Sequence, residues 1–243
     1  MRRLHPDPAD SVDLAAAYAV PKRLLRHLRV NMVSSADGAA TIEGRVGALT
    51  STADQALLHL LRALADVVLV GAGTIRAEGY GPIRIPDAWQ QIRLDRGQQP
   101  FPPVAVLTRS LDLDLRAPLF TDATSRPLVL TCAGSPAERR SEAAEVADVV
   151  VAGEEYVDLA SAAEALAERG LVHVLSEGGP QLLSELFSAG LVDELCLALA
   201  PLIVGGHDTR ITSGPRMSPP TGMELAQVLE EEHFLFLRYV RQS

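Results

Sequence analysis

The chain has 243 residues, 47% apolar and 22% charged, ordinary globular proportions that exclude general disorder and allow a substantial core. A formal net charge of −9 argues against nucleic acid or an anionic membrane as partner, so an anionic ligand must be held by local donors. Cys132 and Cys196 lie far apart with no Cys-x-x-Cys and no His/Cys cluster; this pattern disfavours a zinc site and fits core thiols of a reducing compartment. No apolar run approaches the ~18 residues of a membrane span, and Met1-Arg2-Arg3 leads into prolines and acids rather than a secretory leader. The expectation is a cytoplasmic protein.

Residues 1–28 read as an N-terminal extension. Pro6, Pro8 and Pro21 bracket a short helix, Ser11 to Ala19, whose Leu14 and Tyr18 share a face suited to packing on the body or on a partner subunit. Residues 29–243, with no internal repeat or linker, read as a single domain. Leu28 to Val33 is the first core strand and ends in the turn-forming cluster Ser34-Ser35-Ala36-Asp37-Gly38. Thr50-Ser51-Thr52 is an N-cap region, with Thr52 and Gln55 spaced as a capping box. In the helix that follows, Leu57, Leu60, Leu61 and Leu64 form a core stripe, and Arg62 sits beside it, able to reach over a sheet.

Ala65 to Val70 is a second apolar strand, and Gly71-Ala72-Gly73-Thr74 opens the next helix. This turn suits a phosphate, but it lacks the third glycine and the acidic residue of a Rossmann fingerprint. Gly79 to Pro103, with Pro82, Pro86, Trp89 and Pro100, reads as a long irregular segment, and such loops tend to be functional. Val104 to Leu107 is a strand ending in Thr108-Arg109-Ser110, where a hydroxyl and a guanidinium could clamp a phosphate. Then come a strand at Leu128–Thr131, a helix at Pro136–Glu145, a strand at Asp148–Val151 and a helix at Leu159–Arg169 closed by Gly170.

Leu171 to Leu175 is a buried strand running through Ser176-Glu177-Gly178-Gly179 into a helix, Gln181 to Ala189, with Pro180 in its first turn. Such a turn brings helix N-terminal amides to the carboxyl end of a strand, where open α/β sheets keep anionic ligands; Glu177 stands at that end. Glu194 to Ala200 is another strand. The run Glu230-Glu231-Glu232 makes the turn of a final hairpin, whose second strand alternates Phe234, Phe236, Arg238 and Val240. The pattern implies an α/β fold with a mainly parallel, helix-covered sheet and an antiparallel C-terminal edge.

Four stretches together resemble one family: Asn31-x-x-Ser34-Ser35-x-Asp37-Gly38, the turn from Gly71 to Glu78, Ser176-Glu177-Gly178-Gly179-Pro180-x-Leu182, and Ala189-Gly190-Leu191-Val192-Asp193-Glu194-Leu195. They look like the reductase domain of riboflavin biosynthesis, the carboxy-terminal half of bacterial bifunctional pyrimidine deaminase/reductases. The likeness runs from about residue 28 to the C-terminus, and the zinc motif of the deaminase half is missing. The resemblance implies a three-layer, dihydrofolate-reductase-like fold with helices on both faces, a homodimer, and NADPH-dependent reduction of a ribosylaminopyrimidine phosphate such as 5-amino-6-(5-phosphoribosylamino)uracil. The apolar region from Leu195 to Val204 is the expected source of interface strands.

By position, the resemblance implies that Gly178, Gly179, Pro180, Gln181, Leu182 and Leu183 hold the cofactor pyrophosphate. Gly71, Gly73, Thr74 and Glu78 would line the cofactor site, and Thr108 and Arg109 would meet the 2′-phosphate. Asn31, Ser34, Asp37, Arg62 and Glu177 would face the substrate, with Arg84 as partner of its phosphate. Glu177 or Glu78 would supply the proton if burial raises its pKa. Asn31 replaces a frequent lysine, Gly47-Ala48-Leu49 lacks an aromatic residue, and Glu78 to Arg84 departs from the family's phosphate-holding segment. These departures leave two rivals open: reduction of a pterin such as dihydrofolate, and nucleotide binding without catalysis.

Overall fold

In the computed structural model, which describes residues 1–20 and 26–242, the apolar runs become strands and the helical periods become helices. The strands are β1 (Arg2–His5), β2 (His27–Ser35), β3 (Val67–Gly71), β4 (Val104–Leu107), β5 (Leu128–Thr131), β6 (Asp148–Val151), β7 (His173–Ser176), β8 (Glu194–Ala200), β9 (Met223–Glu231) and β10 (Phe234–Arg241). The helices are α1 (Leu14–Ala17), α2 (Thr52–Leu64), α3 (Ala72–Glu78), α4 (Asp87–Leu94), α5 (Pro118–Thr121), α6 (Ala137–Val146), α7 (Leu159–Glu168) and α8 (Pro180–Ser188). Pro21, expected to close the first helix, lies outside the described residues. The chain forms two compact units, Met1–Leu61 with Ser176–Ser243, and Arg62–Leu175.

In the first unit the strand order is β1-β9-β10-β8-β2. β2 runs parallel to β8, from Arg29 opposite Glu194 to Ser35 opposite Ala200. The other pairs are antiparallel, which is the C-terminal edge the sequence implies. The final turn is Glu232-His233, with φ of 54° and 68°, while Glu230 and Glu231 still pair as strand. Positive φ at both central residues gives a two-residue hairpin whose twist matches its strands. The N-cap lies one residue earlier than expected: Ser51, not Thr52, caps α2, its hydroxyl accepting the Asp54 N–H at 3.1 Å, while the Asp54 carboxylate accepts the Thr50 hydroxyl at 2.6 Å.

The extension holds more structure than its composition suggests. Residues 2–5 form β1 against β9, and α1 is a single turn capped by Asp13, whose carboxylate accepts the Ala16 N–H. Tyr18 is fully buried, with the Arg29 and Arg238 guanidinium carbons 5.8 and 6.0 Å from its ring centre. Arg29 donates to the Tyr18 carbonyl at 2.7 Å and to Glu194 at 2.7 Å, and Arg238 donates to Glu194 at 3.1 Å. Burial alone would raise the Glu194 pKa, but His27, Arg29 and Arg238 outweigh it and hold the carboxyl well below its usual range.

In the second unit the order is β7-β3-β4-β5-β6, and β3 to β6 pair in parallel. Asp66 ties the start of β7 in place, its carboxylate accepting the Val172 and His173 N–H groups at 3.0 and 2.8 Å. The segment expected to be irregular contains helix α4, anchored by Arg93, which is 2% exposed. Its guanidinium donates to the Ala63 and Ala65 carbonyls at the end of α2, acceptors that the helix leaves open, and to the Gln99 carbonyl in the loop after α4. Burial pulls the Arg93 pKa down to about 10.

Candidate active site

The turn from β7 into α8 puts a crowded glycine at a strand's carboxyl end. Gly178 is buried with φ +87°, and a Cβ there would stand 3.1 Å from Met32 Sδ. Its N–H points to Ser176 Oγ at 3.4 Å, and a cis peptide joins it to Gly179, the N-cap of α8. Pro180 opens the helix as expected. The first-turn N–H groups are therefore those of Gln181 and Leu182, which have no acceptor within the helix. Leu183 corrects one expectation: its N–H is spent on the Gly179 carbonyl at 2.9 Å and its side chain is fully buried, leaving nothing for a ligand. The Leu182 side chain is also core, so it has only its amide to offer. Glu177 is half-buried between Ser176 and Gly178.

Ser34 is buried near the end of β2, and Asn31 is half-buried within it. Asp37 does more than face outward. Its carboxylate accepts the Ser35 hydroxyl at 2.5 Å, the Gly205 N–H at 2.7 Å and the Val204 N–H at 3.2 Å. The Ser35 hydroxyl first, then the two amides, lower its pKa to about 2. Asp37 thereby fastens the loop after β8 and lines a cavity of about 430 Å³ with Gly205, Gly206, His207, Asp208 and Arg210. The signal that marks this loop in the sequence is Val204-Gly205-Gly206, a glycine pair following a strand as at 178–179. β8 lies between β10 and β2, so neither of its edges is open to pair with another chain. Within the Leu195 to Val204 region, Leu202 and Ile203 are the most exposed apolar side chains, at 39% and 78%.

In the second unit, Gly71 caps α3 with an ordinary φ of −74°, and a Cβ on Gly73 would meet nothing within 4 Å. Thr74 is half-buried on the first turn, while Glu78 is exposed at the last position of α3, so the burial expected of a proton donor is not met there. Arg62 lies over the Tyr80 ring at 5.9 Å and donates to its hydroxyl at 3.3 Å. Arg84 is engaged structurally. It stacks 5.1 Å from the Phe101 ring centre and donates to the Ile83 and Asp122 carbonyls at 3.2 and 3.0 Å, which speaks against the phosphate role. Thr108 is buried, its hydroxyl accepting the Leu111 N–H at 3.0 Å; Arg109 is exposed, its guanidinium carbon 4.2 Å from the centre of the Tyr156 ring.

The family described as the RibD C-terminal domain matches residues 26–231. The chain belongs to this family. The 2,5-diamino-6-ribosylamino-4(3H)-pyrimidinone 5′-phosphate reductase of Archaeoglobus fulgidus is 32% identical over 181 residues, 74% of this chain and 82% of that protein. A pyrimidine reductase-like protein of Corynebacterium diphtheriae, known from its crystal structure, is 30% identical with a TM-score of 0.83, covering 96% of this chain and 100% of that one. The dihydrofolate reductase of Enterococcus faecalis, 13% identical with a TM-score of 0.51 over 90% of this chain and 99% of that one, shares the fold. The dihydrofolate-reductase-like fold expected from the resemblance is the fold found. The chain is an oxidoreductase of the riboflavin-biosynthesis reductase type. No helix among the described residues is long and apolar enough to cross a membrane.

Proposed function

We propose that this cytoplasmic protein is an NADPH-dependent reductase that converts the ribose side chain of a phosphorylated ribosylaminopyrimidine to a ribityl chain. The observation that carries the reading is the 32% identity to the Archaeoglobus reductase across 82% of that protein. That relative's name favours the 2,5-diamino pyrimidinone over its deaminated uracil counterpart. The chain's own residues fit a dinucleotide phosphate: a glycine at positive φ whose Cβ position is crowded by Met32, two helix N-terminal amides, and an exposed arginine.

In this reading Gly178, Gly179, Pro180, Gln181 and Leu182 hold the pyrophosphate, with Gly71, Gly73 and Thr74 lining the cofactor site. Thr108 and Arg109 take the 2′-phosphate. Asn31, Ser34, Asp37 and Arg62 serve the substrate, and on the Asp37 cavity Arg210 supplies a cation and His207 a ring N–H donor for its phosphate. NADPH, when bound, supplies the hydride; the protein orients the reacting groups and delivers a proton. Glu177, half-buried where Glu78 is exposed, is the proton donor. The protein is a homodimer, with Leu202 and Ile203 at the interface, and a monomer in sedimentation at micromolar concentration removes that part.

The test is NADPH oxidation with the phosphorylated diamino pyrimidinone, the uracil and dihydrofolate in parallel. Turnover of a pyrimidine and not of dihydrofolate is expected. Dihydrofolate as the sole substrate makes the protein a pterin reductase, and NADPH quenching with no oxidation makes it a nucleotide-binding protein. Glu177→Gln is expected to lower turnover about 10²- to 10⁴-fold with NADPH affinity retained. Wild-type turnover in that variant removes Glu177 from the mechanism.

A further inference from the structure

Tyr156 is a large aromatic residue, 65% exposed, on a loop that is otherwise tightly tied. The Ala152 N–H donates to the Thr131 carbonyl at 2.7 Å, Ala133 N–H to Gly153 at 2.9 Å, and Asp158 N–H to Ala152 at 2.9 Å. The Cys132 thiol points to the Glu155 carbonyl at 3.3 Å. A Cβ on Gly153, whose φ is +99°, would lie 2.3 Å from the Tyr156 carbonyl, so the chain can pass there only as glycine. The ring thus projects from a rigid base into solvent, which is not how a core residue is used.

Its partner is fixed from the other side. Arg109 follows buried Thr108, whose hydroxyl accepts the Leu111 N–H, so the Arg109 backbone is held and only its side chain is free to wander. The guanidinium carbon then lies 4.2 Å from the Tyr156 ring centre. Glu154 and Glu155 adjoin the tyrosine, yet no carboxylate pairs with Arg109 among the described residues. A guanidinium stacked on a ring keeps its edge N–H groups available, whereas one in an ion pair spends them. In a chain of net charge −9, an arginine held this way is a cation kept ready for an incoming anion.

We infer that Tyr156 is a positioning residue for cofactor choice: its ring holds the Arg109 fork in the orientation that receives the 2′-phosphate of NADPH. The inference rests on the NADPH reading above and adds a residue to it. Stacking removes the rotamer freedom that a lone surface arginine would lose on binding, so the 2′-phosphate meets a preorganised clamp.

The experiment measures binding of adenosine 2′,5′-bisphosphate and adenosine 5′-monophosphate to wild type, Tyr156→Ala and Tyr156→Phe, followed by NADPH and NADH kinetics. Wild type prefers the 2′-phosphorylated fragment. Tyr156→Ala loses that preference about three- to thirtyfold, the scale of a cation–π contact, while Tyr156→Phe keeps it. In kinetics the alanine variant raises KM for NADPH by the same factor, with kcat and the KM for NADH held. The inference is overturned by an alanine variant with wild-type preference, by equal losses for both fragments, or by a phenylalanine variant as impaired as alanine. Wild type without any preference also overturns it. Fragment binding needs no substrate, so a protein that keeps the preference but reduces no pyrimidine would refute the proposed reaction and leave this inference standing.

Discussion

Gly73 and Gly178 both sit where an apolar strand gives way to a helix. At Gly178, φ is +87° and Met32 Sδ stands 3.1 Å from where a Cβ would be. At Gly73 a Cβ would meet nothing within 4 Å, and Gly71, two residues earlier, has the ordinary φ of −74°. The same letter therefore does different physical work: at one strand end glycine is demanded by the backbone and its neighbours, at the other it is optional. A third strand end, after β8, has Gly205 and Gly206 at φ of 70° and 71°, and there a carboxylate from another segment, Asp37, fastens the loop.

The contrast breaks most directly at Gly178. Gly178→Ala should cost about 1–2 kcal/mol for a side chain at positive φ and weaken NADPH binding at least about tenfold, read by thermal unfolding and fluorescence titration. An alanine variant with wild-type values in both would make the two glycines equivalent. The third strand end is probed by acid. The Asp37 pKa is lowered in the folded protein to about 2, so its contribution is complete above the ordinary carboxylate value of 3.8 and fades as pH falls toward 2. The Val204 and Gly205 amide resonances should hold steady down to about pH 4 and then shift with a midpoint near 2; a midpoint near 4 would mean that the carboxylate does not hold the loop. The smallest effect belongs to Gly73. Gly73→Ala should stabilise by about 0.4–1 kcal/mol by restricting the unfolded chain, and a measurable loss of stability would expose a crowding there that the free space does not suggest.

Strands β4, β5, β6 and β8 have the ends their apolar runs predict, and Leu57, Leu60, Leu61 and Leu64 of α2 are all buried. Uninterrupted apolar runs between prolines, glycines and polar residues leave a parallel strand few alternatives. Elements stabilised by distant partners were not legible. β1 reads only Arg-Arg-Leu-His and owes its existence to β9, more than 200 residues away. Helix α4 hangs on a buried arginine, and arginine is a residue type that composition assigns to the surface. The site divides along the same line. Glycines and a strand-end arginine are visible as letters, whereas the engagement of Arg84 with Phe101 and of Asp37 with the Val204–Gly205 amides depends on which segments fold against them.

The pairing of β1 with β9 also bears on the order in which the chain can assemble. Arg62–Leu175 is one continuous stretch, and along β3-β4-β5-β6 each strand pairs with the next strand in the chain, β7 alone returning later to the side of β3. The other unit joins the first 61 residues to those after residue 175, so Tyr18 and the Arg2–His5 strand wait for Arg238 and β9 to be synthesised. Closing so long a loop is entropically costly and slow. The contiguous unit is thus positioned to fold on the ribosome, and the residues made just before it are among the last to find their place.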